Sequence, residues 1–129
     1  MKKHLIRKMT ILKELKKEVI KTDLLNELQM KQKELDVAIK SLRKTGQDYA
    51  KAYTDYRVAL AKELLVLKNE GYAITLAGDI ARGKPEIAHL KFEEISKEAI
   101  YKANQESINA SKLQIRIIES QLDREYRNN

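Results

Sequence analysis

The residues with the best spacing for metal chemistry are Glu86, His89 and Glu93. They fall at positions i, i+3 and i+7, so a helix would place them on one face. A Glu-x-x-His pair is half of the di-iron carboxylate site of some four-helix bundles, which also needs a second pair. The only other histidine, His4, lies in a basic segment. We therefore expect solvated helix charges here, with no metal and no other cofactor.

Nucleophilic catalysis and nucleotide binding lack their usual sequence features. The chain has no Cys, no GxSxG motif and no Walker or GxGxxG loop. Gly71, Gly78 and Gly83 are too widely spaced to cradle a phosphate. We predict that the protein is not an enzyme.

Tyr49, Tyr53 and Tyr56 form an aromatic stripe beside several Lys and Arg residues. Such rings can stack on nucleic-acid bases. They also continue a leucine series in phase, which favours residues of a helix–helix seam with hydroxyls that reach water. We expect Gly46, one turn earlier, to leave room for a bulky ring from the facing helix.

Heptad spacing is the strongest structural signal in the sequence. One series is Leu28, Leu35, Leu42, Tyr49 and Tyr56, and the other is Gln32, Ile39, Gly46, Tyr53, Leu60 and Leu67. Together they predict a helix over residues 23–70, with Thr22 and Asp23 as N-cap candidates and Gly71 as its stop. The earlier series Leu5, Leu12 and Val19 is out of phase. Residues 1–22 are therefore either a separate amphipathic helix or the same helix with a register skip.

Residues 71–85 hold three glycines and the only proline, which indicates a connection. Thr75 is a candidate cap for a short helix from Leu76 to Arg82, and Pro85 suits the first turn of a second long helix over residues 86–127. We predict an all-α fold: a long, coiled-coil-like antiparallel helical hairpin over residues 23–129, with a basic N-terminal arm and a Gly-rich tip.

The second long helix carries two apolar tracks, one more than a two-helix hairpin needs. The first track is Ala88, Phe92, Ile95, Ala99, Ala103, Ala110, Leu113 and Ile117. We assign the second to self-association, which would make the protein a homo-oligomer: Tyr101, Ile108, Ile115, Ile118 and Leu122.

Positive charge is concentrated at the N-terminus. Residues 1–22 carry eight basic and two acidic groups, a net +6, whereas the other 107 residues carry 18 basic and 17 acidic groups. A basic arm on a nearly neutral body indicates one local contact with an anionic partner. If that partner is nucleic acid, the contacting residues are Lys2, Lys3, Arg7, Lys8, Lys13, Lys16, Lys17 and Lys21. An anionic membrane surface is less favoured, because the arm lacks Trp and Phe.

The tip carries apolar residues that a solvent-exposed linker would not need. They either cap the end of the hairpin or dock a partner protein. The candidate docking residues are Tyr72, Ile74, Leu76, Ile80 and Arg82.

The longest uncharged run is the eight residues 71–78, too short for a membrane span. Charges at Arg7, Lys8 and Lys13 interrupt any signal-peptide core. With no targeting signal, a cytoplasmic location is the expectation.

The stretch LAKELLVLKNEGYAITLAGDIARGKPEIAHLKFEEI, residues 60–95, resembles small uncharacterised helical proteins encoded by phages and prophages of Gram-positive bacteria, as does IYKANQESINASKLQIRIIESQ. The resemblance covers about half of the chain, and its distinctive part is the glycine-bearing connection. It implies a phage accessory factor in the bacterial host, and no assigned activity or defined catalytic residues come with it. We expect a non-enzymatic interaction protein that binds a host or viral protein, or alternatively a nucleic-acid-binding accessory of phage replication or recombination.

Overall fold

Three α-helices make up the chain in the computed structural model, which describes residues 2–127; Met1, Asn128 and Asn129 lie outside the described residues. Helix α1 spans Lys2–Asn69, α2 spans Ile74–Gly83 and α3 spans Pro85–Arg127. No strand occurs among the described residues, so the predicted all-α class is confirmed. None of the three helices contains a segment apolar and long enough to span a bilayer.

The basic arm is the first part of α1, not a separate helix. Thr22 and Asp23, the expected N-cap residues, lie inside the helix. The Thr22 hydroxyl donates a hydrogen bond to the carbonyl oxygen of Glu18 at 2.9 Å, a contact that an interior helical threonine makes. No Gly or Pro precedes Gly46. The expected helix start at residue 23 is thus corrected to Lys2.

Helix α1 ends at Asn69, just before Gly71, the residue predicted to stop it. Gly71 has a φ of 95°, in the left-handed region that suits glycine. The N–H of Tyr72 bonds to the carbonyl of Leu67 at 3.2 Å, and that of Gly71 bonds to Lys68 at 3.0 Å. These two bonds form a Schellman motif, which satisfies carbonyls at the end of the helix.

The connection between the two long helices is not a simple turn, because it contains the short helix α2. Helix α2 begins at Ile74 after Ala73, so the expected cap Thr75 lies in its first turn. Lys84 separates α2 from α3, which begins at Pro85 as expected.

The described residues divide into two units. One combines residues 2–38 with residues 107–127, and the other comprises Ile39–Glu106. In the second unit α1 and α3 pack antiparallel, because Tyr49 meets Tyr101 while Glu63, further along α1, pairs with Lys84. Buried or half-buried positions along α1 recur at heptad spacing: Leu42, Thr45, Tyr49, Ala52, Tyr56, Ala59 and Glu63.

In the first unit, the residues of α1 that are at least partly buried are Lys17, Lys21, Leu24, Leu28, Lys31, Leu35 and Ala38. On α3 they are Ile108, Ser111, Ile115, Ile118, Leu122 and Glu125. Both sets alternate in steps of three and four residues, as in a coiled-coil seam. Lysines at three of the α1 positions pack their aliphatic stems in this seam.

This seam corrects the predicted self-association surface. Ile108, Ile115, Ile118 and Leu122 are all buried inside the chain, and Tyr101 is half-buried against Tyr49. They form the packing face of α3 and are not free to bind a second copy.

Candidate functional site

The basic arm is a helix with an exposed apolar side. Every residue from Lys2 to Lys16 is exposed. Eight large apolar side chains of the arm are exposed: Leu5, Ile6, Met9, Ile11, Leu12, Leu15, Val19 and Ile20. A helix this rich in uncovered apolar residues offers an unpartnered binding surface.

One apolar face of the arm, formed by Leu5, Leu12 and Val19, points away from the seam with α3. Leu5, Leu12 and Val19 recur every seven residues and so lie above one another on α1. Val19 precedes the buried Lys21 by two residues, which is about 200° around a helix. The phase change seen in the sequence is therefore a change of face: the arm directs its leucines away from the side that packs on α3.

The basic residues of the arm differ in their exposure to solvent. Lys2, Lys3, Arg7, Lys8, Lys13 and Lys16 are exposed, whereas Lys17 is half-buried. Lys21 is buried: its Nζ lies 3.7 Å from the Glu18 carboxylate and 4.7 Å from the ring centre of Tyr126 in α3. The predicted nucleic-acid-binding set is therefore corrected by the loss of Lys21, whose cation–π contact belongs to the seam.

The tip divides its residues between a core and a surface. Ala77 and Ala81 of α2 are buried with Leu67, and Leu60, Leu64 and Ile80 pack around them. The larger residues Ile74 and Leu76 are 76% and 51% exposed. Of the predicted docking residues, Ile80 therefore belongs to the core, whereas Tyr72, Ile74 and Leu76 remain exposed, as does Arg82, which lies 3.6 Å from Asp79.

A groove of about 430 Å³ opens beside the exposed Ile74. It is lined by residues of α1 and α2: Ala61, Leu64, Leu65, Lys68, Ile74 and Ala77. The α1 residues were not among the predicted site residues. Their i, i+3, i+4 and i+7 spacing is a signal that could have placed them on one face, although only the packing of α2 creates the groove.

Tyr49 and Tyr56 lie in the seam as predicted, whereas Tyr53, also predicted to lie there, is exposed. Tyr49 packs on Tyr101 with ring centres 6.0 Å apart. Tyr56 is buried beneath Lys91, whose Nζ lies 4.8 Å from the ring centre. The tyrosine rings of the seam are thus used for packing, which leaves little face for stacking on bases.

A charged network crosses the same seam. Lys102 Nζ lies 2.7 Å from the Glu98 carboxylate. Its hydrogen bond is the main cause that lowers the pKa of Glu98, and a hydrogen bond from the Tyr49 hydroxyl of α1 acts in the same direction. Burial, with the nearby charge of Glu98, raises the pKa of Tyr49. The arrangement links the two helices.

A second charged pair, Lys91 and Glu94, lies beside the Tyr56 ring. Glu94 is buried and accepts a hydrogen bond from Lys91 at 3.1 Å. This bond raises the pKa of Lys91. The group thus favours a positive Lys91 over the Tyr56 ring.

The three α3 residues whose spacing suits a metal site do not form one. Glu86 and His89 are exposed and Glu93 is half-buried. Among residues 2–127, no group of three or more His, Cys, Asp and Glu side chains is arranged to hold a metal ion.

The first apolar track of α3 is its outer side. Phe92, Ile95, Leu113 and Ile117 are about half or more exposed. The first track is therefore exposed, whereas the second, which was predicted to mediate self-association, packs within the hairpin. A strict alternation of three and four residues, with polar Glu94, Asn104 and Ser111 included, is the signal that separates the seam from this track.

Comparison with known proteins yields no match: no family model, no curated protein and no solved structure matches the chain. The resemblance to phage-encoded proteins thus stays a prediction.

Proposed function

We propose that the protein is a non-enzymatic interaction protein whose N-terminal arm, residues 2–20, docks on a protein partner. The carrying observation is that eight large apolar side chains of this one helix are exposed, of which Leu5, Leu12 and Val19 share one face. An amphipathic helix of this kind binds an apolar groove through residues at i, i+3, i+4 and i+7 spacing.

The positive charge of the arm indicates what kind of partner surface it binds. Six exposed basic residues lie on the same helical segment, from Lys2 to Lys16. A groove with acidic edges is complementary to this pattern, because opposite charges speed association and exclude cationic surfaces. The resemblance to phage proteins adds an expected setting, in which the partner is a host or viral protein in the bacterial cytoplasm.

The test compares two variants of the full chain. In one, Leu5, Leu12 and Val19 become Gln, which preserves helix propensity but removes apolar surface. In the matched control, Met30 and Val37, exposed apolar residues of α1 outside the arm, become Gln. Proteins captured from a bacterial lysate by the wild type are purified and titrated against each variant by calorimetry.

A partner that binds directly, with an affinity reduced at least about tenfold by the arm variant and not by the control, supports the proposal. If every captured protein binds the arm variant and the wild type equally, the proposal is wrong.

Nucleic-acid binding is the second candidate, because the same six cations can contact phosphates. A second variant, with Lys2, Lys3, Arg7 and Lys8 changed to Gln, separates the two functions. Phosphate binding predicts salt-dependent affinity for duplex or single-stranded DNA, with a slope of log K against log salt that falls by roughly 0.7–0.9 per lost contact. It also predicts that the leucine variant binds DNA as the wild type does. DNA binding that survives the charge variant with an unchanged slope removes this candidate.

A further inference from the structure

The groove at the tip is separate from the arm, and its shape and charge identify a ligand class. We infer that it binds an acidic amphipathic helix of a protein partner, which inserts an apolar side chain beside Ile74 and places a carboxylate at Lys68. This docking site is independent of the arm and makes the protein bivalent.

The placement of apolar residues on α2 indicates that this helix does more than cover the end of the hairpin core. A cap would turn its largest apolar residues inward, because burial of apolar area is what stabilises a helix on a core. Here Ile80 packs on the core with Ala77 and Ala81, but Ile74 is the most exposed large apolar residue of the described chain and Leu76 is also exposed. The small residues bring α2 close to α1, and Ile74 and Leu65 are left on the two sides of an open groove.

The charged residues at the groove are basic. Lys68 lines it, and no carboxylate does so among the described residues. Arg57 lies one turn before Ala61 and so continues the same face of α1, and it is exposed. An apolar floor beside cations complements a helix that presents leucines next to glutamates, and disfavours a basic one.

The experiment uses the full chain with isotopically labelled methyl groups of Ala, Ile and Leu. The probe is a synthetic peptide of about 18 residues, with leucines along one helical face and glutamates elsewhere. A second peptide replaces the glutamates with lysines. We expect the acidic peptide to shift the methyl signals of Leu65, Ile74 and Ala77, and the basic peptide to leave them unchanged.

Two exposed residues of α2 provide a matched pair of variants. Ile74→Glu places a carboxylate in the groove and should weaken binding of the acidic peptide at least about tenfold. Leu76→Glu adds the same charge on the same helix outside the groove lining, and should weaken binding by less than about threefold. Lys68→Glu should reverse the preference, so that the basic peptide binds.

Several results would overturn the inference. They are an absence of methyl shifts with about 1 mM acidic peptide, equal effects of the two α2 variants, and equal binding of both peptides. Groove signals that shift with protein concentration alone would show that a second copy occupies the groove, which also contradicts it. The arm variants should leave this binding intact, so failure here and failure of the proposed function are distinguishable.

Discussion

Gly46 of α1 faces the ring of Tyr101 of α3: a β-carbon at Gly46 would lie 3.1 Å from Cε2 of that ring. The expected space for a bulky ring opposite Gly46 is therefore present, and Tyr101 fills it. The absence of a side chain at this position allows the close approach of the two helices.

We predict that Gly46→Ala has a background-dependent effect. With Tyr101 present, the gain in helix propensity, about 1 kcal/mol, is offset by displacement of the ring. In a Tyr101→Ala background the methyl group meets no ring, and Gly46→Ala should stabilise the protein by about 0.5–1 kcal/mol. Chemical denaturation of the four proteins in this cycle measures the difference. Equal effects in both backgrounds would show that ring and glycine are not coupled.

The second prediction concerns the neighbouring isoleucines Ile118 and Ile117. Ile118 is 3% exposed in the seam, and Ile117 is 49% exposed on the outer side of α3. Ile118→Ala should reduce the free energy of unfolding by about 2–4 kcal/mol, since it leaves a cavity. Ile117→Ala should change it by less than about 1 kcal/mol. The reverse order, measured by denaturant unfolding, would restore the original assignment of the two tracks.

The third prediction concerns two glycines at the tip. Gly71 has a positive φ, whereas Gly83 does not and has open space around its Cα. Gly71→Ala should destabilise the protein by about 1–2 kcal/mol through backbone strain. Gly83→Ala should be neutral or stabilise it by up to about 1 kcal/mol, because the unfolded chain loses entropy. Thermal unfolding of both variants provides the comparison.

The fourth prediction separates the core of the tip from its surface. Ile80 packs against the core around Ala81, and Leu76 is exposed. Ile80→Ser should lower the melting temperature by several degrees, consistent with a loss of about 1–3 kcal/mol. Leu76→Ser should leave it nearly unchanged. A similar loss for both would mean that all of α2 acts as a cap.

The fifth prediction is a pH dependence that arises from Glu98. Its pKa is lower in the folded protein than the ordinary value of 4.5, because Lys102 and Tyr49 donate hydrogen bonds to its carboxylate. The resulting stabilisation is present above pH 4.5 and is lost as the pH falls through the folded pKa. Glu98→Gln should therefore reduce stability at pH 7 and have a smaller effect near pH 3. The same substitution at the exposed Glu106 is the control, and parallel stability profiles for wild type and Glu98→Gln would contradict the prediction.

The sequence predicted the helices better than their faces. Heptad spacing located the first long helix, apolar tracks indicated the second, and Gly71 and Pro85 marked their adjoining ends. The N-cap expectation at Thr22 was wrong because its hydroxyl bonds to a carbonyl within the helix, which sequence alone does not distinguish from capping.

The candidate sites divide in the same way. The basic arm and its out-of-phase series Leu5, Leu12 and Val19 follow from composition and spacing, because residues of one helix keep fixed relative directions. The tip groove does not, since it requires α2 to pack on the end of α1.

The sequence by itself thus determined the helical class, the position of the connection and the charge of the arm, all of which depend on residues close together in the chain. Only the tertiary structure decided which apolar track of α3 is buried. Hydrophobic burial has no direction of its own, so a helix with two tracks buries the one that its distant partner covers. For Ile118 that partner is α1, nearly a hundred residues away in sequence, while Ile117 next to it stays exposed.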